Sequence, residues 1–433
     1  MLDKIFLKLE RFVPAKYRWV LNHDGFKRYF ANTGWMFFGQ MFSLLVSFFI
    51  TAWLARYLGP ENYGVVSYSI AFAMLFGFIA PLGIDGILSR ELVKYPEKRD
   101  ELLGTSFRLK LIGGLLAFFL AVASAILFQT SPLIKLLIIL FSFSFIFQAI
   151  NVIGTYFQAE VKSKNNVKAV LVAMIISSIL KVAVILFDRG VIWLVVVYAL
   201  DSLWQGIGFI SAYRKQGKKI KAWKFNNNLA REILKNSWFL MLASAASFIY
   251  VRIDQVIIGS LSGNREVGIY AAAVKLVEVW YFIPGIICGS LFPAIVNAKI
   301  TSQEVYKSRL KKFYILMVTI PLLIAVPMTL LAKPIIFILF GNEYMESVNI
   351  LRIYIWSSIG LFLGTAMGQY LMSENLVKTI FWLSLSAMIV NIILNFIFIP
   401  IWGLLGAAWA TLISYMVVPV MVFIGGKFLK KVG

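Results

Sequence analysis

Eight ionisable side chains sit inside long apolar stretches of this 433-residue chain: the cations Lys181, Arg252, Lys275 and Arg352, and the acids Asp85, Asp201, Asp254 and Glu278. A charge at the centre of a bilayer costs about 2.5–3.5 kcal/mol on insertion scales, so each needs a partner or a wet cavity. Lys275 and Glu278 are three residues apart and, on a helix, share a face on which they can pair. Arg252 and Asp254 are two apart and point different ways, so each must find its partner elsewhere. Two readings stay open for each residue. Such groups can glue helices together or snorkel to an interface, or they can line a site. Four cations set against this small group of acids point to at least one place for an anionic group. Arginine grips a diphosphate with paired hydrogen bonds, and lysine acts as a point charge. Arg252, Lys275, Arg352 and Lys181 are therefore the candidate substrate-binding set. Asp85, Asp254 and Glu278 are the candidate carboxylates for coupling to an H+ or Na+ gradient, or for structural pairing.

The sequence offers little other chemistry. Its single His, His23, and single Cys, Cys288, read as an interfacial residue and as small apolar filling. No phosphate loop, dinucleotide fingerprint or metal-ligand spacing is present. No catalytic residue, metal or cofactor is expected, and the outside loops are too short for a folded catalytic domain. The chain reads as moving a substrate and not as converting one.

The elements that must position these residues are membrane helices. Apolar residues make up 60% of the chain, and mean hydropathy is +0.83, against roughly 45–50% apolar content in soluble proteins. Strand-period alternation is missing, which leaves helices as the way to satisfy every backbone group in lipid. Twelve apolar stretches are each long enough to cross. Six fall in residues 33–213 and six in 238–426, with a basic linker, 214–237, between them and a short tail, 427–433. The run after Lys333, KPIIFILFGNEYMESVN, is too short to cross and is expected to dip into the interface. Residues 1–32 open with an amphipathic, basic segment, suited either to an anionic membrane face or to a positive-inside leader. Placing the amino terminus inside puts 33 of the 42 Lys and Arg on inside segments. Both termini are thus expected in the cytoplasm, and the net charge of +22 reports topology without invoking nucleic acid.

The two halves share a plan. Trp53–Gly86, WLARYLGPENYGVVSYSIAFAMLFGFIAPLGIDG, and Gly259–Gly289, GSLSGNREVGIYAAAVKLVEVWYFIPGIICG, each end one span in a polar Gly-rich loop and open the next at Gly64 or Gly268. Pro81 and Pro284 interrupt those second spans, and Gly86 and Gly289 follow five residues on. Gly64 and Gly268 are expected to support close packing or a turn with positive φ, and Pro81 and Pro284 to bend their helices. Transporters place binding sites between repeats that rock against each other.

ARYLGPENYG, DQVIIGSLSGNREVGIYAAAVKL, LAKPIIFILFGNEYMESVNILRI and NIILNFIFIPIWGLLGAAWATLIS resemble the corresponding stretches of the polysaccharide-biosynthesis branch of the multidrug/oligosaccharidyl-lipid/polysaccharide exporter superfamily. The resemblance is in particular to the O-antigen and related lipid-linked oligosaccharide flippases. The resemblance implies an all-α polytopic protein, with two six-helix lobes around a central, partly cationic cavity. It implies transfer of an undecaprenyl-diphosphate-linked oligosaccharide from the cytoplasmic to the outer leaflet of the bacterial cytoplasmic membrane by alternating access. Membrane lipids and polysaccharide polymerase machinery are the expected contacts. Two other functions are weighed beside this one: a multidrug-type exporter, whose cavity should be acidic, and a polytopic glycan polymerase or glycosyltransferase, which needs catalytic clusters on sizeable outer loops.

Overall fold

The computed structural model describes residues 24–374 and 376–432, and every described element is a helix or a turn. The expected amphipathic segment at the amino terminus lies largely outside the described residues, as does His23. In chain order the helices are α1 (Asp24–Met74), α2 (Asp85–Lys94), α3 (Arg99–Phe128), α4 (Pro132–Phe147), α5 (Val152–Ala159), α6 (Ser163–Leu186), α7 (Gly190–Lys215) and α8 (Asn227–Leu261). They continue as α9 (Asn264–Glu278), α10 (Ile283–Thr301), α11 (Gln303–Leu330), α12 (Ala332–Phe340), α13 (Ser347–Tyr354), α14 (Ser357–Ser373), α15 (Val377–Trp402) and α16 (Leu404–Val432). Eleven helical stretches among the described residues are long and apolar enough to cross a membrane. The first of them is two helices, since α1 breaks at Gly59 (φ 67°, ψ 169°), which accounts for the twelve stretches read from the sequence. Large apolar side chains such as Phe119, Leu127, Trp382 and Phe396 stand on the outside, where lipid is their solvent.

Gly59 has a counterpart in Gly263 (φ 102°), which separates α8 from α9. The left-handed backbone thus falls at Gly59 and Gly263, each five residues before the glycine singled out in the sequence. Gly64 and Gly268 do something else. A Cβ on Gly64 would lie 1.7 Å from the Asn264 carbonyl oxygen, and one on Gly268 would lie 1.9 Å from that of Pro60. The arm 60–74 of α1 and α9 therefore cross backbone to backbone through reciprocal glycines, the close approach that small residues permit between membrane helices.

Both arms end ten residues past that glycine, at Met74 and at Glu278. Beyond Met74 the chain is irregular over 75–84, with Leu82 and Gly83 both at positive φ. Pro81 lies in this break, and i→i+3 bonds such as Ile84 N–H to the Pro81 carbonyl hold it. In the second half the break is only 279–282, and Pro284 sits in the first turn of α10, where its missing N–H costs nothing. Gly86 and Gly289 meet nothing that a methyl group would touch, so these two matched glycines are not packing sites.

Helices of the first half pack mainly on one another, α6 on α7, α3 on α4 and α1 on α6, while α15 and α16 pack together, α8 on α15 and α14 on α16 in the second. Helix α8 belongs to both. Its opening residues Ala230 and Ile233 are buried in the core of α2, α3, α5 and α7, and Asn226 caps it by accepting from the N–H groups of Asn228 and Leu229. The linker is shorter than expected from the sequence, because α7 runs through Lys215 and α8 starts at Asn227. It is strapped to α3: Lys224 N–H donates to the Asp100 carbonyl, and a Cβ on Gly104 would lie 2.3 Å from the Lys224 oxygen. At the opposite end of the bundle, the short α12 and the turn after it buttress the Gly59 turn. There Tyr344 donates to the Ala55 carbonyl at 2.7 Å, and Ser347 to that of Ile269 at 2.6 Å.

Candidate substrate cavity

Where the two halves face each other, α1, α4, α7, α8 and α9 enclose a central chamber of about 340 Å3. Helical spacing decides what it displays. Ser67, Ile70, Ala71 and Met74 line it from α1, and Ala271, Val274, Lys275 and Glu278 line it from α9. Each set is the i, i+3, i+4, i+7 face of its helix. Arg252 and Gln255, three apart on α8, share the chamber with Asp201 and Tyr198 of α7. A second chamber of about 210 Å3 adjoins it inside the first half, sharing Ser47, Thr51, Tyr198, Asp201 and Ser202 and adding Ser177, Lys181 and Gln205.

The charges are arranged as follows. Arg252 Nη1 lies 2.9 Å from Glu278 Oε1, both side chains largely buried. Sequence spacing paired Glu278 with Lys275. The two do share a face, but the guanidinium of the neighbouring helix occupies the carboxylate. Lys275 is left with no ion pair or hydrogen bond to any described residue, although it lines the chamber. Lys181, buried on α6, lies 3.0 Å from Asp201 Oδ2 and 4.0 Å from the centre of the Tyr198 ring. Ser177 donates to the other oxygen of Asp201. Lys181 therefore faces the adjoining chamber and reaches the central one through Asp201.

The structure does not bring Arg352 to either chamber. It is exposed on α13, and Asn349 Oδ1 accepts from its guanidinium at 3.4 Å. Asp85 also stands apart, bonded by Lys110 and by Thr155, whose hydroxyl donates at 3.1 Å. Lys110 is 2% exposed within α3; its partner Asp85, 25 residues earlier, is the signal that spacing alone does not show. Asp254 is buried behind the chamber, where Tyr270 donates at 2.5 Å and the Gln255 N–H at 2.7 Å. Of the three candidate coupling carboxylates, only Glu278 lines the chamber. No group of three or more His, Cys, Asp or Glu able to hold a metal ion occurs among the described residues.

The chamber thus joins an Arg–Glu pair, a Lys–Asp pair in its wall and one free ammonium. Such a surface can take a compact anion with hydroxyl-bearing groups around it.

The polysaccharide biosynthesis protein family is matched over residues 29–299. The chain is 24% identical over 356 residues to the "Putative O-antigen transporter" of Shigella flexneri, covering 76% of this chain and 81% of the relative. It is 23% identical over 207 residues to the "Probable low-salt glycan biosynthesis flippase Agl15" of Haloferax volcanii, which is 47% of this chain and 43% of that one, so here it spans less than half of the relative. Among solved structures, the lipid II flippase MurJ in an inward closed conformation superposes with a TM-score of 0.71 at 19% identity, over 90% of this chain and 87% of that one. An inward-facing multidrug resistance MATE transporter of the MOP superfamily superposes with a TM-score of 0.70 at 15% identity, over 89% and 94%. At these identities the superpositions speak for the fold and leave the cargo open.

Proposed function

This chain belongs to the polysaccharide biosynthesis protein family, a family of multi-pass membrane transporters and not of enzymes, and from that premise we propose that its cargo is an undecaprenyl-diphosphate-linked oligosaccharide. The lipid head would move from the cytoplasmic to the outer leaflet of a bacterial cytoplasmic membrane, with both termini in the cytoplasm. Diphosphate and glycan cannot enter hydrocarbon unaided. A polar chamber between two bundles carries the head while the polyprenyl tail stays in lipid.

The observation that carries this reading is Lys275. It is a cation in the central chamber with no described partner, so the chamber keeps one uncommitted positive charge for a diphosphate. Arg252 is the second ligand, and it is held in reserve by Glu278. A diphosphate must displace Glu278 to take the guanidinium, so cargo binding and the Arg252–Glu278 pair exclude each other. A coupling cation taken by the displaced carboxylate would therefore be exchanged against the cargo, which is the coupling role proposed for Glu278. An exporter of cationic drugs would need the opposite excess, and that counts against the multidrug alternative.

The test is flipping of a fluorescent polyprenyl-diphosphate-linked disaccharide in proteoliposomes. Lys275→Ala is expected to lower the rate about tenfold or more, and Lys275→Arg to stay within about threefold of wild type, in line with tenfold per 1.4 kcal/mol. Wild-type rates in the alanine variant would refute the proposal.

A further inference from the structure

A third chamber, of about 290 Å3, lies within the second half between α8, α14, α15 and α16. Helix α8 is the partition. Ser247 and Tyr250 face this chamber, while Arg252 and Gln255, on the other side of the same helix, face the central one. Building on the proposed function, we infer that this chamber is a subsite for an uncharged sugar segment of the cargo, separate from the place where the diphosphate is held.

The lining argues for that ligand class. It contains no Lys, Arg, Asp or Glu, so it offers nothing to a phosphate. It does offer aromatic rings and hydroxyls: Tyr250, Tyr281 and Tyr415 with Ser247, Thr365 and Ser384. The rings are set against each other, Tyr250 edge-to-face on Tyr415 with centroids 5.2 Å apart and Tyr281 at 6.4 Å from Tyr415. A pyranose has this same dual character, with a C–H face that lies on an aromatic ring and an equator of hydroxyls.

Two further observations point to an occupant. The Tyr415 side chain is 5% exposed, and its hydroxyl and that of Tyr281 are buried within reach of each other but without a hydrogen bond of good geometry. A buried hydroxyl left unpaired costs about 1–3 kcal/mol, and such groups in folded proteins ordinarily find a water or a ligand. The α14 wall carries Gly360, Gly364 and Gly368. At Gly360 helix packing forbids a side chain, since a Cβ would lie 2.6 Å from the Tyr415 carbonyl oxygen. At Gly364 and Gly368 a Cβ would meet nothing within 4 Å, so the absence of side chains there leaves room in the chamber and serves no helix contact. A polyprenyl tail would fill that room but would offer no hydrogen-bonding group to the Tyr281 and Tyr415 hydroxyls, which disfavours lipid as the occupant.

The experiment uses the full chain in nanodiscs with three probes: a polyprenyl-diphosphate-linked disaccharide, the same polyprenyl diphosphate without sugar, and a soluble neutral tetrasaccharide bearing a photoreactive group. Gly364→Leu fills the open space, and Tyr415→Phe keeps the ring while removing the hydroxyl. Gly364→Leu is expected to weaken binding of the sugar-bearing lipid about fivefold or more and Tyr415→Phe about threefold, with the sugar-free lipid within about twofold for both. The tetrasaccharide is expected to label α14 or α16 in wild type and to lose that label in Gly364→Leu. Equal weakening for both lipids would make this a tail site and overturn the inference. So would unchanged binding, or labelling confined to the central chamber. Were wild type to bind neither lipid, the proposed function would fall, while the tetrasaccharide label would still decide the subsite. Should Gly364→Leu not fold, Tyr415→Phe and the wild-type label decide it.

Discussion

The arms 60–74 and 264–278 have one backbone plan and opposite chemistry. Each follows a glycine at positive φ, crosses its twin at a glycine five residues on, and ends ten residues after that. Counting from the crossing glycine, Ala71 corresponds to Lys275 and Met74 to Glu278. On the preceding helices Phe48 corresponds to Arg252, Ile50 to Asp254 and Thr51 to Gln255. At these matched positions the second half alone carries charge. An approximate symmetry of scaffold thus coexists with different chemistry on the two arms, while the first half's charge in the chamber, Asp201 with Lys181 behind it, comes from other helices. A substrate head would meet its free cation from the α9 arm and the hydroxyls of Ser67 and Ser47 from α1.

The comparison breaks most sharply at the crossing itself. Gly64→Ala and Gly268→Ala each drive a methyl group into the opposing backbone, where overpacking typically costs about 1–3 kcal/mol. Both should lower the thermal midpoint of the purified protein and nearly abolish flipping. Gly86→Ala and Gly289→Ala should change stability by no more than about 0.5 kcal/mol, as at sites away from packing features. If all four behaved alike, the reciprocal glycine contact would not be what joins the halves.

The next effect tests the one-sided charge. Arg252→Ala strands Glu278 in a largely buried place, and breaking such a pair is more harmful than deleting it, by up to about 3–5 kcal/mol for fully buried pairs. Arg252→Ala should therefore fold less stably than the double variant Arg252→Ala/Glu278→Gln. Flipping should stay low in both, because the guanidinium is missing in both. Recovery of flipping in the double variant would mean that Arg252 serves the fold and not the cargo.

The sequence made the scaffold legible because hydropathy and the positive-inside pattern are summed over many residues. The break at Gly59 was not singled out, because one glycine in a polar loop is a local signal that no average over a span reports. Glycine recurrence located the crossing but not its geometry: Gly64 and Gly268 are 204 residues apart, and only the folded chain shows each filling the space a side chain on the other would need. Charge partners were the least legible feature. Lys275–Glu278, the pair that spacing favours, is displaced by Arg252–Glu278, and Lys110 reaches Asp85 across two helices. Ion pairing between helices depends on rotation and depth, and one helix's periodicity does not encode those. The tyrosine chamber left no mark for the same reason, since Tyr250, Tyr281 and Tyr415 come from distant segments of a chain that holds 18 tyrosines.

The smallest expected effect concerns Arg352, which matched the other three cations in being a basic residue inside an apolar span. On α13 it lines neither chamber, and Asn349 is its one hydrogen-bond partner among the described residues. Its surroundings support an interfacial reading: Arg265 pairs with Glu346 at 2.8 Å just before α13 begins, and the Asn342–Tyr344 turn precedes that. A charge at such a depth reaches water along its own stem and needs no cavity. Arg352→Ala should therefore keep flipping within about twofold of wild type, and exposed substitutions of this kind shift stability by about 0.5 kcal/mol or less. A tenfold loss in Arg352→Ala with Lys275→Ala unaffected would place the anion-binding wall at the α12–α13 end of the bundle and remove the charge asymmetry between the two arms from the mechanism.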